Sequence, residues 1–396
     1  MNIVHLTTSG ELGGAETSLL AILGSLRRAE PNWTPSVIAP ARGRLLERLG
    51  EEGIRARVLP FPPALARLGE SSSRSGAFHG VAAAVGGAVY AARLRSALVA
   101  ERADVVHAHG FKMHVLAALA RPRGSALVWH VHGYLSGRRW TNAALRALAS
   151  RASVVVANSE SVTEDVRRVL GPRALVRTLY NAIDLGRFAP VGPRVDLDAA
   201  AGLPPAPDGT VRVGLVGTFG RWKGHHVFLD ALARLPAAAQ VRGYIIGAPI
   251  YATTDSQFTL EELRQAASDR GLDGRVGFSG FVGDVADAMR SLDVIVHAST
   301  EPEPFGMVIA EAMACGRPVV VSRAGGAVEL FEDGVDGFGH APGDAGELAH
   351  IIAALAADPL RRERAARAAR RTAEARYDQQ RLADYLVPLY RTLVAA

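Results

Sequence analysis

Short apolar runs with strand character alternate with amphipathic helical patterns along almost the whole chain, and this alternation limits the fold more than any other feature. In the first half "NIVHLTT", "PSVIAP", "IRARVLP", "ADVVHAH", "ALVWHVH" and "SVVVANS" read as short buried strands. In the second half "VRVGLVG", "VRGYIIG", "RVGFSG", "DVIVHAS" and "RPVVVS" do the same. Strands apolar on both faces and separated by helices belong to parallel sheets covered on both sides, so the class is α/β. Between the two sets lies "FAPVGPRVDLDAAAGLPPAPDG", residues 188–209, whose prolines and lack of long apolar periodicity mark a linker. The sequence therefore predicts two doubly wound, Rossmann-like domains, 1–187 and 210–377, facing each other across a cleft. The carboxyl ends of their strands would line that cleft, the default ligand site. A helical pattern runs from Asp344 onward with breaks near Asp358-Pro359 and Tyr377-Asp378, and the terminal helix, 378–396, is expected to pack back on the first domain.

A chain of 396 residues, 48% hydrophobic, can bury two ordinary cores. Its apolar stretch "VAAAVGGAVYAA", Val81 to Ala92, is too short to span a bilayer and runs straight into Arg93 and Arg95, so no transmembrane helix is expected. The first residues, "MNIVHLTTSG", open directly in a strand pattern, with no basic leader or small-residue cleavage site, which reads as a cytoplasmic protein. A single cysteine, Cys315, excludes an intrachain disulfide and a cysteine-rich metal site, and it reads as a small buried hydrophobe. The net charge of +6 comes from arginine spread along the chain. No zinc-finger, RRM or basic-zipper pattern accompanies it, so nucleic acid is not an expected partner. The densest basic run, "RRERAARAARRTAEAR" at 361–376, reads as a solvated helix face rather than a contact with anionic membrane.

Among 45 basic side chains only two are lysines, Lys112 and Lys223. Lys223 lies in "VGTFGRWKGHHVFLDAL", between a strand and a helix beginning near Gly224. Lys223 and Arg221 at that helix entrance can neutralise a diphosphate, or can be two solvated charges at a turn. After the first strand, "SGELGGAETSLLAIL" is a glycine-rich turn entering a helix, where Gly13 and Gly14 let the backbone approach an anion. Its spacing is not G-x-G-x-x-G, and such turns also serve packing. In "STEPEPFGMVIAEAMACGRPVVVS" a loop with Glu301 and Glu303 follows a strand ending near Ser299, and a helix runs from about Phe305 to Gly316. Glu303 and Glu311 can reach different parts of one ligand. A partner for the helix dipole is a sufficient role for Glu303, but Glu311 lies too far into the helix for it.

"HAH" (His107, His109) and "HVH" (His130, His132) sit at strand ends, each pair on one face of its strand. A zinc site can be built that way. No carboxylate ligand is evident beside them, and no metal site is expected. Asp196 and Asp198 resemble a metal-diphosphate D-x-D pair, but within a linker they read as a surface turn or helix cap.

Taken in order, "GGAE", "HVHG", "NSE", "YNAID", "GTFGRWKG", "EPFGMVIAEAMACGRPVV" and "GGAVELFEDGVDGF" resemble glycosyltransferase family 4, retaining enzymes of the GT-B fold, over nearly the whole chain. The Glu-x7-Glu element, Glu303 to Glu311, is the most specific part. The resemblance implies transfer of a sugar from a nucleoside diphosphate sugar, a UDP or GDP sugar, to an acceptor hydroxyl, in the synthesis of cell-envelope polysaccharide or glycolipid. It implies no cofactor and no metal, basic residues standing in for the ion. Glu303 would bind donor-sugar hydroxyls and Glu311 the ribose, while Phe305, Gly306, Met307 and Val308 offer backbone contacts to sugar and phosphate. Lys223 corresponds to the family's diphosphate-binding lysine. Thr218 stands where the family commonly has an arginine, five residues earlier, and Arg221 is placed to supply that charge. Gly14, beside Gly13, matches the glycine that approaches the diphosphate, and His132 the histidine beside the reacting sugar.

No covalent nucleophile stands out. In the family the acceptor attacks from the leaving-group side, with the donor phosphate helping to remove its proton. The "HGFKMH" loop offers His109, Lys112 and His114 to a carbohydrate or lipid-linked acceptor, Lys112 suiting a phosphate on it. The segment from Phe61 to Leu98 either lies against the inner face of a membrane or covers the sheet. A nucleotide-sugar epimerase of the same fold and a non-catalytic nucleotide-sugar-binding protein are the alternatives.

Overall fold

The computed structural model describes residues 1–66, 77–137, 139–236, 238–249 and 256–395, with the backbone alone for 77–83 and 139–141. The chain divides into two compact units, Met1–Ala182 with Gln379–Ala396, and Ile183–Asp378. The first holds a seven-stranded sheet: β1 (Asn2–Leu6), β2 (Thr34–Ala39), β3 (Arg55–Val58), β4 (Val105–His109), β5 (Ala126–Val131), β6 (Val154–Ala157) and β7 (Val176–Thr178). Its spatial order is β3-β2-β1-β4-β5-β6-β7, every pair parallel. The second unit holds β8 (Val211–Val216), β9 (Val241–Ile246), β10 (Val276–Gly280), β11 (Val294–His297), β12 (Val319–Ser322) and β13 (Gly337–His340). These run parallel in the order β10-β9-β8-β11-β12-β13. In each sheet the strand order reverses once, between β1 and β4 and between β8 and β11. Open α/β sheets bind ligands beyond the carboxyl ends of the strands at such a point. Strands β7 and β13 escape the sequence reading because "VRT" is too short and "GFGH" too glycine-rich to show an apolar pattern.

On one face of the first sheet Ile3, Val105 and Val128 meet Ile22 and Leu26 of helix Gly14–Ala29 and Leu382, Leu386 and Tyr390 of helix Gln380–Ala395. Each fully buried aliphatic side chain stabilises the fold by about 1.5–3 kcal/mol. The Ala383 N–H also donates to Ser25 Oγ at 3.0 Å. The end of the chain is thus one wall of the first unit's core. On the opposite face Tyr90, Leu94 and Leu98 of helix Ala77–Ala100 pack on Val4, Leu6 and Val106, so the described part of the Phe61–Leu98 segment covers the sheet. Residues 67–76 of that segment lie outside the described residues. No helix among the described residues is long and apolar enough to cross a membrane. The basic run becomes helix Pro359–Arg376, which buries Ala365, Ala369 and Ala373 at four-residue spacing; it is solvated only in part, since Arg370 donates to Phe188 O and Ala314 O and Arg376 to Glu329 O. Cys315 is buried, and desolvation pushes its thiol up to about 11.

The segment read as a linker belongs to the second unit. Asp196 caps the short helix Leu197–Ala200 by accepting from the Ala199 N–H at 3.0 Å. Asp198 departs from the surface reading: it is 4% exposed. Its Oδ1 accepts from Arg242 at 2.7 Å and Tyr244 Oη at 2.5 Å, and its Oδ2 from Arg212 at 3.1 Å and the Ala206 N–H at 3.0 Å. Burial alone would raise this carboxyl, but the four hydrogen bonds hold it well below the usual range. With two donors on each oxygen, Asp198 is a structural ion pair rather than half of a metal motif.

Candidate functional site

Beyond β8 the chain passes Gly217 and Thr218 into a single 3-10 turn, Arg221–Lys223, and then helix His225–Ala233. Gly224 joins turn and helix at φ +74°, and a Cβ there would lie 1.8 Å from the Ala298 carbonyl oxygen, so only glycine lets the turn close on the end of β11. The Thr300 N–H fastens the other side, donating to Trp222 O at 2.8 Å. This packing sets Lys223 Nζ 2.7 Å from Glu303 Oε2, with side-chain exposures of 25% and 15%. The same oxygen accepts from Ser299 Oγ at 3.1 Å and lies 3.3 Å from His297 Nε2. Burial would raise the Glu303 carboxyl; the hydrogen bond with His297 and the Lys223 ammonium override it and hold it well below the ordinary carboxylate range. Arg221 is directed elsewhere, its guanidinium 3.3 Å from Glu262 and 4.4 Å from the centre of the Phe258 ring. Thr218 stays half-buried just past the end of β8.

Helix Met307–Ala314 starts at Gly306, φ +95°, with no side-chain cap. Its first N–H groups therefore present a partial positive charge beside Glu303. The expected helix was longer, Phe305 to Gly316. Phe305 precedes it with its ring buried edge-on against Tyr377, 6.1 Å between centres, so only its backbone is offered to a ligand. Met307 and Val308 open the helix. Glu311, one turn further, is half-buried; desolvation pushes its carboxyl up to about 7, against the pull of the Arg187 guanidinium. Arg187 is itself held by Asp284 at 3.0 Å. Sequence reasoning missed His297 and Ser299, although "DVIVHAS" puts both at the end of the strand beside the order reversal.

In the first unit the loop after β1 leads through Gly13, the extended N-cap, into helix Gly14–Ala29. A Cβ on Gly14 would meet no atom within 4 Å, so packing does not demand glycine there. Glu16, unmarked in the sequence reading, turns inward: Thr7 Oγ1 donates to its Oε1 at 3.0 Å, and burial raises its carboxyl. Glu16, His109, His114 and His132 line one cavity together with Thr8 and Phe111. The "HGFKMH" stretch is not a loop: Gly110 caps helix Phe111–Ala120. Lys112 donates to Ala66 O at 2.6 Å over the Phe61 ring. His114 Nε2 sits between the carbonyls of Ala108 and His130, at 3.1 and 3.0 Å.

The two His-x-His pairs come together, joined by His5, another residue the sequence reading missed. Strand register sets His5 beside His107 and His109 beside His130. The rings stack, with centres 4.6 Å apart for His107–His109 and 4.2 Å for His130–His132. Two hydrogen-bonded rows result. One links Tyr390 Oη to His107 Nδ1 at 2.5 Å and His107 Nε2 to His130 Nδ1 at 3.2 Å. The other links His5 Nδ1 to His109 Nε2 at 3.3 Å and His109 Nδ1 to His132 Nε2 at 3.0 Å. Desolvation pushes His5 and His132 down to about 3, and His107, His109 and His130 well below the imidazole range, so all five are uncharged at neutral pH.

The profile of Glycosyltransferase Family 4 matches residues 12–187, and that of Glycosyl transferases group 1 matches residues 204–372. The lipopolysaccharide core biosynthesis glycosyltransferase LpsE of Rhizobium meliloti is 30% identical over 279 residues, 70% of this chain and 76% of that protein. A D-inositol 3-phosphate glycosyltransferase of Mycolicibacterium vanbaalenii is 31% identical over 292 residues, 66% of this chain and 62% of that one. Among solved structures, Anabaena HepE in complex with UDP matches with a TM-score of 0.81 at 30% identity, over 99% of this chain and 100% of that one. HepE in complex with UDP-glucose matches at 0.77 and 30%, over 98% and 100%. Two parallel, doubly wound units of the GT-B kind, the family profiles that match them in turn and a 30% identical relative together establish that this chain is a glycosyltransferase and belongs to family 4.

Proposed function

We propose that this glycosyltransferase moves a sugar from a nucleoside diphosphate sugar, a UDP sugar before a GDP sugar, to an acceptor hydroxyl with retention at the anomeric carbon. The observation that carries the reading is the Lys223–Glu303 pair, 2.7 Å apart beyond the carboxyl ends of β8 and β11, where the strand order reverses, and beside an uncapped helix start. A ligand bearing phosphate next to sugar hydroxyls would divide that pair, phosphate taking the ammonium and hydroxyls donating to the carboxylate. As the diphosphate departs its negative charge grows, and Lys223 with the N–H groups of Met307 and Val308 is suited to receive it. Arg221 would leave the exposed Glu262 to add a second charge. From the first unit, Gly14 is assigned to the diphosphate and His132 to the reacting sugar. The bound UDP and UDP-glucose of HepE support the choice of donor.

The acceptor, attacking from the leaving-group side, passes its proton to the donor phosphate. It is a carbohydrate or lipid-linked intermediate of envelope polysaccharide or glycolipid, met in the cytoplasm or at the inner membrane face. A thermal-shift panel of nucleotide sugars, followed by NMR of the product's anomeric centre, tests the reading. No stabilisation by any nucleotide sugar, an inverted product, or epimerised donor in the absence of acceptor would each overturn it. Transfer needs no Mg2+ or Mn2+ and is expected to survive chelator; strict dependence on either ion would contradict this.

The two carboxylates should separate by ligand part. Glu311→Gln turns half of an acceptor into a donor and is expected to weaken UDP by about 10- to 100-fold, the worth of a hydrogen bond to a charged group. Glu303→Gln should leave UDP affinity nearly unchanged while reducing transfer and loosening discrimination between epimeric sugars. Calorimetric titration of both variants with UDP and with the intact donor decides this; equal loss of UDP affinity refutes the division. Because burial pushes the Glu311 carboxyl up to about 7 and its ionised form is the acceptor, UDP affinity should rise as pH increases through that value and decline below it. In Glu311→Gln that portion of the pH dependence should vanish, leaving what the diphosphate itself contributes.

A further inference from the structure

Three side chains converge on one oxygen, Glu303 Oε2: Lys223 Nζ at 2.7 Å, Ser299 Oγ at 3.1 Å and His297 Nε2 at 3.3 Å. They differ in how firmly they are held. Lys223 carries its ammonium on a flexible four-carbon stem, with the side chain 25% exposed, and a phosphate can draw it off. His297 and Ser299 are buried, 5% and 1% exposed, at the end of β11 and just beyond it. Ser322 Oγ donates to the Ser299 carbonyl at 2.6 Å and fixes the chain there. The backbone of Glu303 is fixed as well, its N–H donating to Ala324 O at 3.3 Å and its carbonyl accepting from the Gly326 N–H at 2.7 Å. Only the side-chain torsions of Glu303 remain to be set. Ser299 has one hydroxyl hydrogen, and it goes to the carboxylate oxygen. His297 Nε2, 3.1 Å from Ser299 Oγ and 3.3 Å from Glu303 Oε2, then faces two acceptors, so this ring carries its proton on Nε2. His297 Nδ1 is buried without a partner among the described residues, and the ring's hydrogen bonding is directed wholly at Ser299 and Glu303. His340, two strands over on β13, donates from Nδ1 to Ala341 O at 2.8 Å and does not compete.

We propose that His297 is a positioning residue for sugar recognition: its Nε2–H, with the Ser299 hydroxyl, keeps the Glu303 carboxylate aimed at the donor sugar after the diphosphate has drawn Lys223 away. The inference rests on the assignment of Glu303 to the sugar and of Lys223 to the diphosphate. A buried carboxylate that loses its only partner takes up a proton. The two donors at the end of β11 stay in place when the ammonium moves, so Glu303 keeps its charge and its orientation through the step in which sugar hydroxyls must find it.

The first measurement needs no variant, so it stands even if substitutions at this position impair folding. Imidazole nitrogen NMR of the full chain, with His297 assigned through its own backbone, should find the proton on Nε2; a proton on Nδ1 alone would overturn the proposal. The second follows the Glu303 carboxyl by carbon NMR in Lys223→Ala, where the ammonium is absent, the signal being identified by its loss on adding Glu303→Gln. Adding His297→Leu should raise its titration midpoint by about one to two pH units, the effect of removing a hydrogen bond to a charged group. His297→Gln, whose amide can donate from the place of Nε2, should hold the midpoint near that of Lys223→Ala. An unmoved midpoint with Leu, or an equal rise with Gln, refutes the role. In the chain that keeps Lys223, His297→Leu should leave UDP affinity unchanged and weaken UDP-glucose by about 10- to 100-fold, with circular dichroism checking the fold. Weakening of UDP-glucose by Glu303→Gln but not by His297→Leu would also overturn the proposal. If neither variant weakens UDP-glucose, the assignment of Glu303 to the sugar fails instead, and the midpoint still decides what His297 does.

Discussion

Lys223→Ala is expected to lower turnover by about 10²- to 10³-fold, the loss seen when one preorganised donor to a developing anion is removed. Binding of UDP should weaken as well, by about 10- to 100-fold, because the ammonium contacts the diphosphate before and during its departure. The change reaches further than one missing contact. Glu303 is held ionised in part by this ammonium, and without it burial drives the carboxyl back toward protonation. The variant should therefore lose sugar recognition too, and its pH profile should acquire a new acid limb. Lys223→Arg restores charge but puts a wider, planar group in place of a compact ammonium, so partial recovery of binding with little recovery of rate is expected. Calorimetry with UDP alongside steady-state rates separates the two effects. Unchanged UDP affinity in Lys223→Ala would end the phosphate assignment.

Asp198→Ala is expected to destabilise the second unit by about 3–5 kcal/mol, the range for removing one partner of a buried ion pair. The change strands Arg242, whose side chain is 11% exposed, and leaves Tyr244 Oη without its acceptor. Arg212 is 34% exposed and can turn to solvent, so its share is smaller. Linkage gives the sign with pH. The Asp198 carboxyl is held low in the folded chain, so its contribution is fully present above the unfolded value of about 4 and is lost as pH falls through the folded one. The midpoint of chemical unfolding, read at neutral and acid pH, checks both statements. A loss below about 1 kcal/mol would return Asp198 to the class of surface pairs.

The alternating pattern was enough to read both sheets except for the edge strands β7 and β13, because buried parallel strands declare themselves in composition one at a time. The partners of Asp198 do not. Arg212, Arg242 and Tyr244 lie 14, 44 and 46 residues away, and nothing local in "VDLDAAAG" tells a buried carboxylate from a surface turn. His5 was silent for the same reason: it becomes a neighbour of His107 only through the register of β1 against β4. Lys223 and Glu303, 80 residues apart, were each singled out by their setting, but their direct contact needed the fold. The scarcity of lysine drew attention to Lys112 as well, but it says nothing about where an ammonium points, and the Lys112 ammonium donates to the carbonyl of Ala66.

The last helix, Gln380–Ala395, bears on how the chain is made. Its Leu382, Leu386 and Tyr390 complete a core whose other wall contains Ile3, Val105 and Val128. On the ribosome those early strands emerge first and wait, one face covered only in part by helix Gly14–Ala29, while the whole of Ile183–Asp378 is translated. At about 5–20 residues per second that delay is roughly 10–40 s. The middle of the chain has that interval in which to form its own core, whereas the first unit's core cannot be completed until Gln380–Ala395 is made. A nascent chain stalled before Gln380 would display an apolar sheet face to chaperones, and an isolated first unit would have to be built by splicing 379–396 onto 1–182.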